Sequence, residues 1–309
     1  MTVHDLRLER SRRPAFDAVS PALRRCAHGV EYALLRDGEG GELYFTRDGW
    51  AMSESLSPRH WYQDQRFHRV GRALPGATGS VYRVPVPHAA RGDVGIVVKF
   101  CRFGQDVGLT TLGAGSVFPW PEALMAEAEF LGPFEEFGAI HRLRERARRT
   151  PHIATKRPLA IHVPAARFAG WQLGRADYRL ERQVRALDAD QRRTPADERI
   201  SYDPGRIYVL LYSWVGGIDA EQAAQAGLIT NETMMDLGRE AAGAVAAHGF
   251  AVLDHKPRHV IVRPLADGRL LQRRGRTAFA LIDYELLVPW TGTSPASRAP
   301  RADSPDSHD

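Results

Sequence analysis

The chain has 309 residues, 43% of them hydrophobic and 26% charged, with a formal net charge of +5 and two cysteines. That length is enough to bury a core for one or two domains, and the composition is that of a soluble globular protein. No run of about 18 apolar residues predicts a membrane span, and no apolar core near the N-terminus predicts a secretory leader, so a cytoplasmic location is expected. The positive excess is small and scattered, which argues against a nucleic-acid partner. Cys26 and Cys101 read as buried free thiols.

Residues 1–65 read as an N-terminal extension carrying a hairpin, Glu31–Leu35 and Glu42–Phe45, turned through Asp37-Gly38-Glu39-Gly40-Gly41. Val81–Val86 and Gly95–Phe100 follow as strands. A helix is predicted over 121–131, with Pro121 in its first turn and Gly132-Pro133 as its stop. Leu124, Ala128 and Leu131 form its apolar stripe, and Glu127 falls on that same face. Residues 134–205 are Arg-rich and predict helices with one strand near Ala160–Val163. The basic run Arg142–Arg149 reads as a solvated helix face. Arg206–Val215 predicts a buried strand ended by Gly216-Gly217. Helices over Asp219–Gly227 and Thr233–His248 come next, the second closed by Gly249. Val260–Val262 and Ala278–Ile282 are short apolar strands, and residues 291–309, rich in Ser, Pro, Ala and Asp, read as a disordered tail.

Of the 42 basic residues only three are lysines: Lys99, Lys156 and Lys256. Arginine serves wherever a generic positive charge suffices, so a lysine here points to a need for a compact ammonium that a guanidinium fork cannot replace.

Three constellations carry chemistry. The first is Leu74-Pro-Gly76-Ala-Thr-Gly79-Ser-Val81 followed by Val97-Val98-Lys99. A glycine turn between strands brings backbone N–H groups near phosphate oxygens, and a lysine on the next strand neutralises them. An ammonium ending an apolar run needs a carboxylate partner, and Glu127 is the candidate. The second is His248-Gly-Phe-Ala-Val-Leu-Asp254-His-Lys256-Pro-Arg-His259, a helix end, an apolar stretch, then a carboxylate and an ammonium two residues apart. The third is Leu281-Ile-Asp283-Tyr-Glu285, an aspartate directly after an apolar strand, well placed to ligate a divalent cation.

In this order the segments resemble the protein-kinase-like superfamily across roughly Gly71–Glu285. Gly76 and Gly79 resemble its glycine-rich loop, Lys99 its strand lysine, and Glu127 its helix glutamate. Tyr208–Gly217 resembles its hinge strand, with Leu211 as gatekeeper and Tyr212 and Trp214 facing adenine. His248 through His259 matches the catalytic loop without a gap, so Asp254 resembles the catalytic aspartate and Lys256 the loop lysine. Asp283 resembles the metal-binding aspartate. Val252-Leu253 replaces the family's His-Arg, His259 stands where it has a metal-binding asparagine, and Tyr284-Glu285 is more like aminoglycoside and lipopolysaccharide kinases. With only 22 residues after Leu287, no activation segment is expected.

The resemblance implies an α+β, two-lobed protein-kinase-like fold. An antiparallel β N-lobe with long insertions would span 66–215, and a reduced helical C-lobe 216–290. It implies ATP and Mg²⁺ or Mn²⁺ as cofactors. Gly76, Gly79, Val81, Lys99, Glu127, Leu211, Tyr212 and Trp214 would hold the nucleotide, Asp283 and His259 the metal. Asp254 and Lys256 would be catalytic for phosphoryl transfer to a hydroxyl acceptor. The rival expectation is a pseudokinase scaffold, favoured by His259. His255 and His259 have the spacing of a helical zinc pair, which Pro257 opposes.

Overall fold

Period-two alternation of apolar residues builds most of the first half of the chain. The computed structural model describes residues 15–74, 81–108, 120–126, 128–148 and 153–292, and the chain divides into two compact units. The first gathers residues up to Val107 with 129–142 and 156–215, and the second gathers 108–128, 143–155 and 216 onward.

The strands described in the first unit are β1 (Arg24–Ala27), β2 (Val30–Arg36), β3 (Glu42–Phe45), β4 (Arg72–Ala73), β5 (Val81–His88), β6 (Gly92–Phe100), β8 (Pro158–Val163) and β9 (Val209–Ser213). They form one antiparallel sheet in the order β1-β2-β3-β8-β9-β6-β5-β4. The segment that reads as an N-terminal extension thus supplies three of these strands. The expected hairpin is β2–β3. Its turn is held by the Asp37 carboxylate, which accepts from the amides of Gly41 and Glu39 at 2.7 and 3.0 Å.

Ile96 and Val98 of β6, Val84 and Val86 of β5, and Val209 and Leu211 of β9 enter one core with Phe16, Leu56 and Trp61. Alternation sends Lys99, Leu210 and Tyr212 to the opposite face. That face is covered by helix α1 (Pro133–Ala147), residues 133–142 of which belong to this unit. Phe137 packs on Tyr212 with ring centroids 5.2 Å apart, and Phe134 packs edge-on against Tyr32 and Tyr44 at 5.5 and 5.1 Å. Helix α2 (Asp177–Asp190) buries Leu180 and Leu187.

The helix expected over 121–131 is shorter, covering Glu122–Ala126. Gly132-Pro133 does not stop it but opens α1, because a proline without an N–H fits a first helical turn and the Gly132 carbonyl accepts from the Glu136 amide at 2.8 Å.

The second unit carries helices α3 (Ala220–Gln225), capped by the Asp219 carboxylate, and α4 (Asn231–Ala247), capped by the Thr230 hydroxyl. Its strands are β7 (Ile153–Thr155), β10 (Ile218–Asp219), β11 (Phe250–Val252), β12 (Val260–Val262), β13 (Gln272–Arg273), β14 (Arg276–Thr277), β15 (Phe279–Leu281) and β16 (Leu287–Pro289). Among described residues they form a sheet β10-β12-β15-β7 and the two-stranded pairs β11–β16 and β13–β14. Gly217 lets the chain pass close to β12: a Cβ there would lie 2.3 Å from the Val262 carbonyl oxygen. The architecture is α+β with a large antiparallel sheet, and no described helix is long and apolar enough to cross a membrane.

Candidate functional site

The first unit places Lys99 one residue from the end of β6, directly across from Val81 on β5 and Leu210 on β9. Its side chain is 7% exposed, and Nζ lies 3.2 Å from both carboxylate oxygens of Glu136 on α1. Glu136 is itself 1% exposed, and its Oε1 also accepts from the Lys156 ammonium at 3.2 Å and the Tyr212 hydroxyl at 2.6 Å. The Lys156 ammonium sits over the Tyr212 ring, 3.8 Å from its centroid. Three side chains, from β6, from the residue two before β8 and from β9, therefore meet at one carboxylate on α1.

Sequence reasoning expected Glu127 to receive Lys99. Glu127 lies outside the described residues, and the described carboxylate at Lys99 is Glu136. The sequence held a signal for it: Glu136, Ile140 and Leu143 recur at helical spacing, and all three are buried. Reading Gly132-Pro133 as a stop hid that stripe. Gly76 and Gly79 also lie outside the described residues, in the segment joining the paired strands β4 and β5. Leu211 is fully buried in the sheet core opposite Val98. Trp214 follows β9, donates its amide to the Gly95 carbonyl at 3.3 Å, and stacks beneath the Arg83 guanidinium at 4.6 Å.

In the second unit, two stretches are laid side by side. The loop between β11 and β12 carries Asp254, Lys256 and His259, and the segment between β15 and β16 carries Asp283 and Glu285. Because β11 pairs with β16 and β12 with β15, the stretches are tied at both ends. The Leu253 amide donates to Leu286 O at 3.1 Å and the Ile282 amide to His259 O at 3.1 Å. His255, fully buried, anchors the loop to α4 through Nε2–H to the Gly238 carbonyl at 2.7 Å, and burial pushes its imidazole down to about 4. Trp120 adds a third tie, from Nε1 to Val252 O at 2.9 Å.

This scaffold brings Asp254, Lys256, His259 and Asp283 together. The Lys256 ammonium lies 2.6 Å from Asp254 Oδ1, and both side chains are nearly buried. His259 Nε2 lies 3.7 Å from Asp283 Oδ2. Burial pushes the Asp254 carboxyl up to about 6, aided by the charges of Asp283 and Glu285 and opposed by Lys256. Burial also lowers His259, against the pull of Asp283, so its imidazole is neutral and available as a ligand. One ligand atom from each of Asp254, His259 and Asp283 falls within 4.8 Å of the other two. Two carboxylate oxygens and a neutral imidazole suit a divalent cation, and the nitrogen favours Mn²⁺ over Mg²⁺. Asp254 thus joins the ligand set that the sequence confined to Asp283 and His259.

All three lysines are buried, while no arginine is among the buried charged residues described. Each faces a carboxylate: Lys99 and Lys156 share Glu136, and Lys256 faces Asp254. No family model and no curated protein matches the chain.

Proposed function

We propose that the protein is an ATP-dependent phosphotransferase of the protein-kinase-like superfamily. The observation that carries this reading is the Lys99–Glu136 pair. Counted from the strand before the glycine segment, β4, β5 and β6 succeed one another as antiparallel neighbours, and the third bears the lysine. The carboxylate that holds it comes from a later helix. A third-strand lysine paired with a helix glutamate is the arrangement protein kinases use to grip nucleotide phosphates.

On this reading Lys99 binds the α- and β-phosphates and Trp214, just beyond β9, stands on the adenine side, while Leu211 points into the opposite core and Tyr212 is closed against Glu136. Asp254, with its carboxyl held near 6, is ionised at neutral pH yet basic enough to accept the proton of an acceptor hydroxyl. The Lys256 ammonium, 2.6 Å from it, offsets charge on the transferred phosphoryl group. Asp283, His259 and Asp254 would hold a divalent cation, which supplies neutralisation of phosphate oxygens when bound. Catalysis of this class comes mostly from positioning and charge stabilisation, and these residues are held for that by backbone ties at both ends of their loop.

The test is nucleotide binding followed by turnover. ATP with Mn²⁺ or Mg²⁺ should raise the melting temperature, and Lys99→Ala should abolish that rise. Wild type should hydrolyse or transfer the γ-phosphate, and Asp254→Asn should not. Binding without turnover in either metal would instead establish the scaffold reading that His259 favours. Absence of ATP binding in both metals would end the kinase reading.

A further inference from the structure

The positive excess that reads as scattered along the chain has one dense exception. Residues 263–277 hold five arginines (Arg263, Arg269, Arg273, Arg274 and Arg276) against one carboxylate, Asp267, a net +4 where the whole chain carries +5. All five arginines are exposed. The segment is an arm inserted between β12 and β15, containing the Pro264–Leu270 bridge and then the β13–β14 hairpin. Its base is closed by the Leu271 amide donating to the Arg263 carbonyl and the Ala278 amide to the Leu271 carbonyl, both at 2.8 Å. The arm leaves the β12–β15 pair beside Val262 and Phe279, whereas His259 and Asp283 flank the other end, beyond Val260 and Leu281. The length of β12, about 10 Å for its three residues, therefore separates the arm from the candidate cation site.

The hairpin tip is built against local preference. Arg273 pairs with Arg276, so Arg274 and Gly275 form a two-residue turn, with φ of 52° and 75°. Positive φ at both positions is the pattern of a type I′ turn, which favours Asn, Asp or Gly at its first position. An arginine there carries backbone strain and sets a guanidinium at the very tip. The register also lays Arg273 directly across from Arg276, where like charges are unfavourable. Arg276 is tied to Glu240 on α4 at 2.7 Å and Arg269 to Asp267 at 2.6 Å, while Arg263 and Arg274 enter no ion pair among the described residues. Three arginines around one tight turn, held despite strain and repulsion, mark a surface made for an anion.

The chemistry of the tip selects among anions. Residues 272–276 carry no apolar or aromatic side chain, so they offer no anchor for a protein pocket or a lipid surface and no ring on which unpaired bases could stack. Every cation in the arm is a guanidinium, whose fork matches phosphate oxygens. Two antiparallel strands about 5 Å apart make a ribbon that the ~12 Å major groove of B-form DNA admits, while the major groove of duplex RNA is narrow and deep. We infer that residues 263–277 are a docking arm for the phosphate backbone of double-stranded DNA. The inference goes beyond the phosphotransferase reading and does not rest on it.

The experiment is fluorescence anisotropy of a labelled DNA duplex of ~20 base pairs, titrated with the full chain between ~50 and ~200 mM salt. Affinity should fall with salt at a log–log slope of about −3 to −5. Arg263→Gln combined with Arg274→Asn removes two charges from exposed positions, and asparagine suits the turn, so the fold is kept. That variant should bind about tenfold more weakly, with the slope reduced by about 2. Arg192→Gln with Arg193→Gln removes the same charge from exposed positions of the first unit and should stay within about twofold of wild type. Wild type that leaves the duplex unbound at the lowest salt overturns the inference, as does equal weakening by the two double variants, which would mark net charge alone. Single-stranded DNA, a polyglutamate peptide or phosphatidylserine vesicles bound as tightly as the duplex would overturn it too, by giving the arm a different anion. Lys99→Ala should bind the duplex as wild type does; loss of binding there would move the DNA contact to the nucleotide site and overturn the inference. Failure of DNA binding leaves the kinase reading standing, and failure of ATP binding leaves this one.

Discussion

Replacing Glu136 by glutamine tests the core of the first unit directly. The substitution keeps the shape of a side chain that is 1% exposed and removes the charge that Lys99 and Lys156 share. Removing one partner of a buried ion pair typically costs ~3–5 kcal/mol, because the remaining charge stays desolvated. Here the loss falls on two ammoniums, and the Tyr212 hydroxyl, 2.6 Å away, exchanges a charged acceptor for a neutral one. The expected cost is therefore about 5 kcal/mol, a large share of the stability of an ordinary domain. Urea unfolding should show a lower midpoint at unchanged slope, and the melting temperature should fall by roughly 10–20 °C. Adding Lys156→Met to Glu136→Gln should cost less than the sum of the two single variants, since both act on one hydrogen-bonded cluster. A Glu136→Gln cost below ~1 kcal/mol, or strict additivity in the double variant, would refute the shared-carboxylate argument.

Other outcomes follow from the second unit and from the sheet. Asp254→Asn should lower turnover by a factor of ~10²–10⁴ and, because Asp254 also belongs to the metal-ligand set, weaken metal-dependent ATP binding by a smaller factor, read by steady-state kinetics beside a binding titration. His259→Asn should move the preferred metal from Mn²⁺ toward Mg²⁺, read as the ATP-induced thermal shift in each metal, because the amide oxygen is the harder ligand. In the first unit, burial holds His162 below its ordinary range, while the hydrogen bond from His162 is the main cause that lowers Asp37 to about 2. Both folded-state values are depressed, so the stability they contribute is full above about pH 6.5 and is lost as pH falls, first through His162 and finally through Asp37. Chemical denaturation across pH 7.5 to 4 should show that decline, and His162→Gln, which cannot titrate, should flatten its upper part.

The fold was legible in sequence wherever local periodicity decides it. The hairpin at 31–45, the strand pair around Lys99, and the short strands 260–262 and 279–281 fall where alternation and turn residues put them. The loop bearing Asp254, Lys256 and His259 was legible because its residues are close in sequence, and the contact with Asp283 follows once β12 pairs with β15. What was not legible depended on a helix boundary. Gly132-Pro133 is a valid stop and equally a valid start, and only the start puts Glu136 over Lys99. Lys156 was hidden for a different reason. It lies 57 positions from Lys99 and 20 from Glu136, and no local pattern reports that a chain segment entering β8 turns its ammonium toward a helix on the same sheet face.

The burial of every lysine, with no arginine among the buried charged residues described, is a physical sorting rather than a compositional accident. Glu136 Oε1 already receives three donors within 3.2 Å, and Val81 and Leu210 stand directly across from Lys99 in the neighbouring strands. A compact ammonium fits such a crowd, because its three N–H groups rotate to meet whatever acceptors are present. A guanidinium is planar, larger and carries five donors in a fixed fork, so burial there would leave some of them unpaired and force the core apart. Lys99→Arg, nominally conservative, should therefore cost ~1–3 kcal/mol in urea unfolding and weaken ATP binding. Arg185→Lys, on the exposed face of α2, should stay within ~0.5 kcal/mol of wild type. Equal stability of Lys99→Arg and Arg185→Lys would mean that the buried site does not discriminate between the two cations. The distribution of lysine in this chain would then carry no information about the proposed phosphate chemistry.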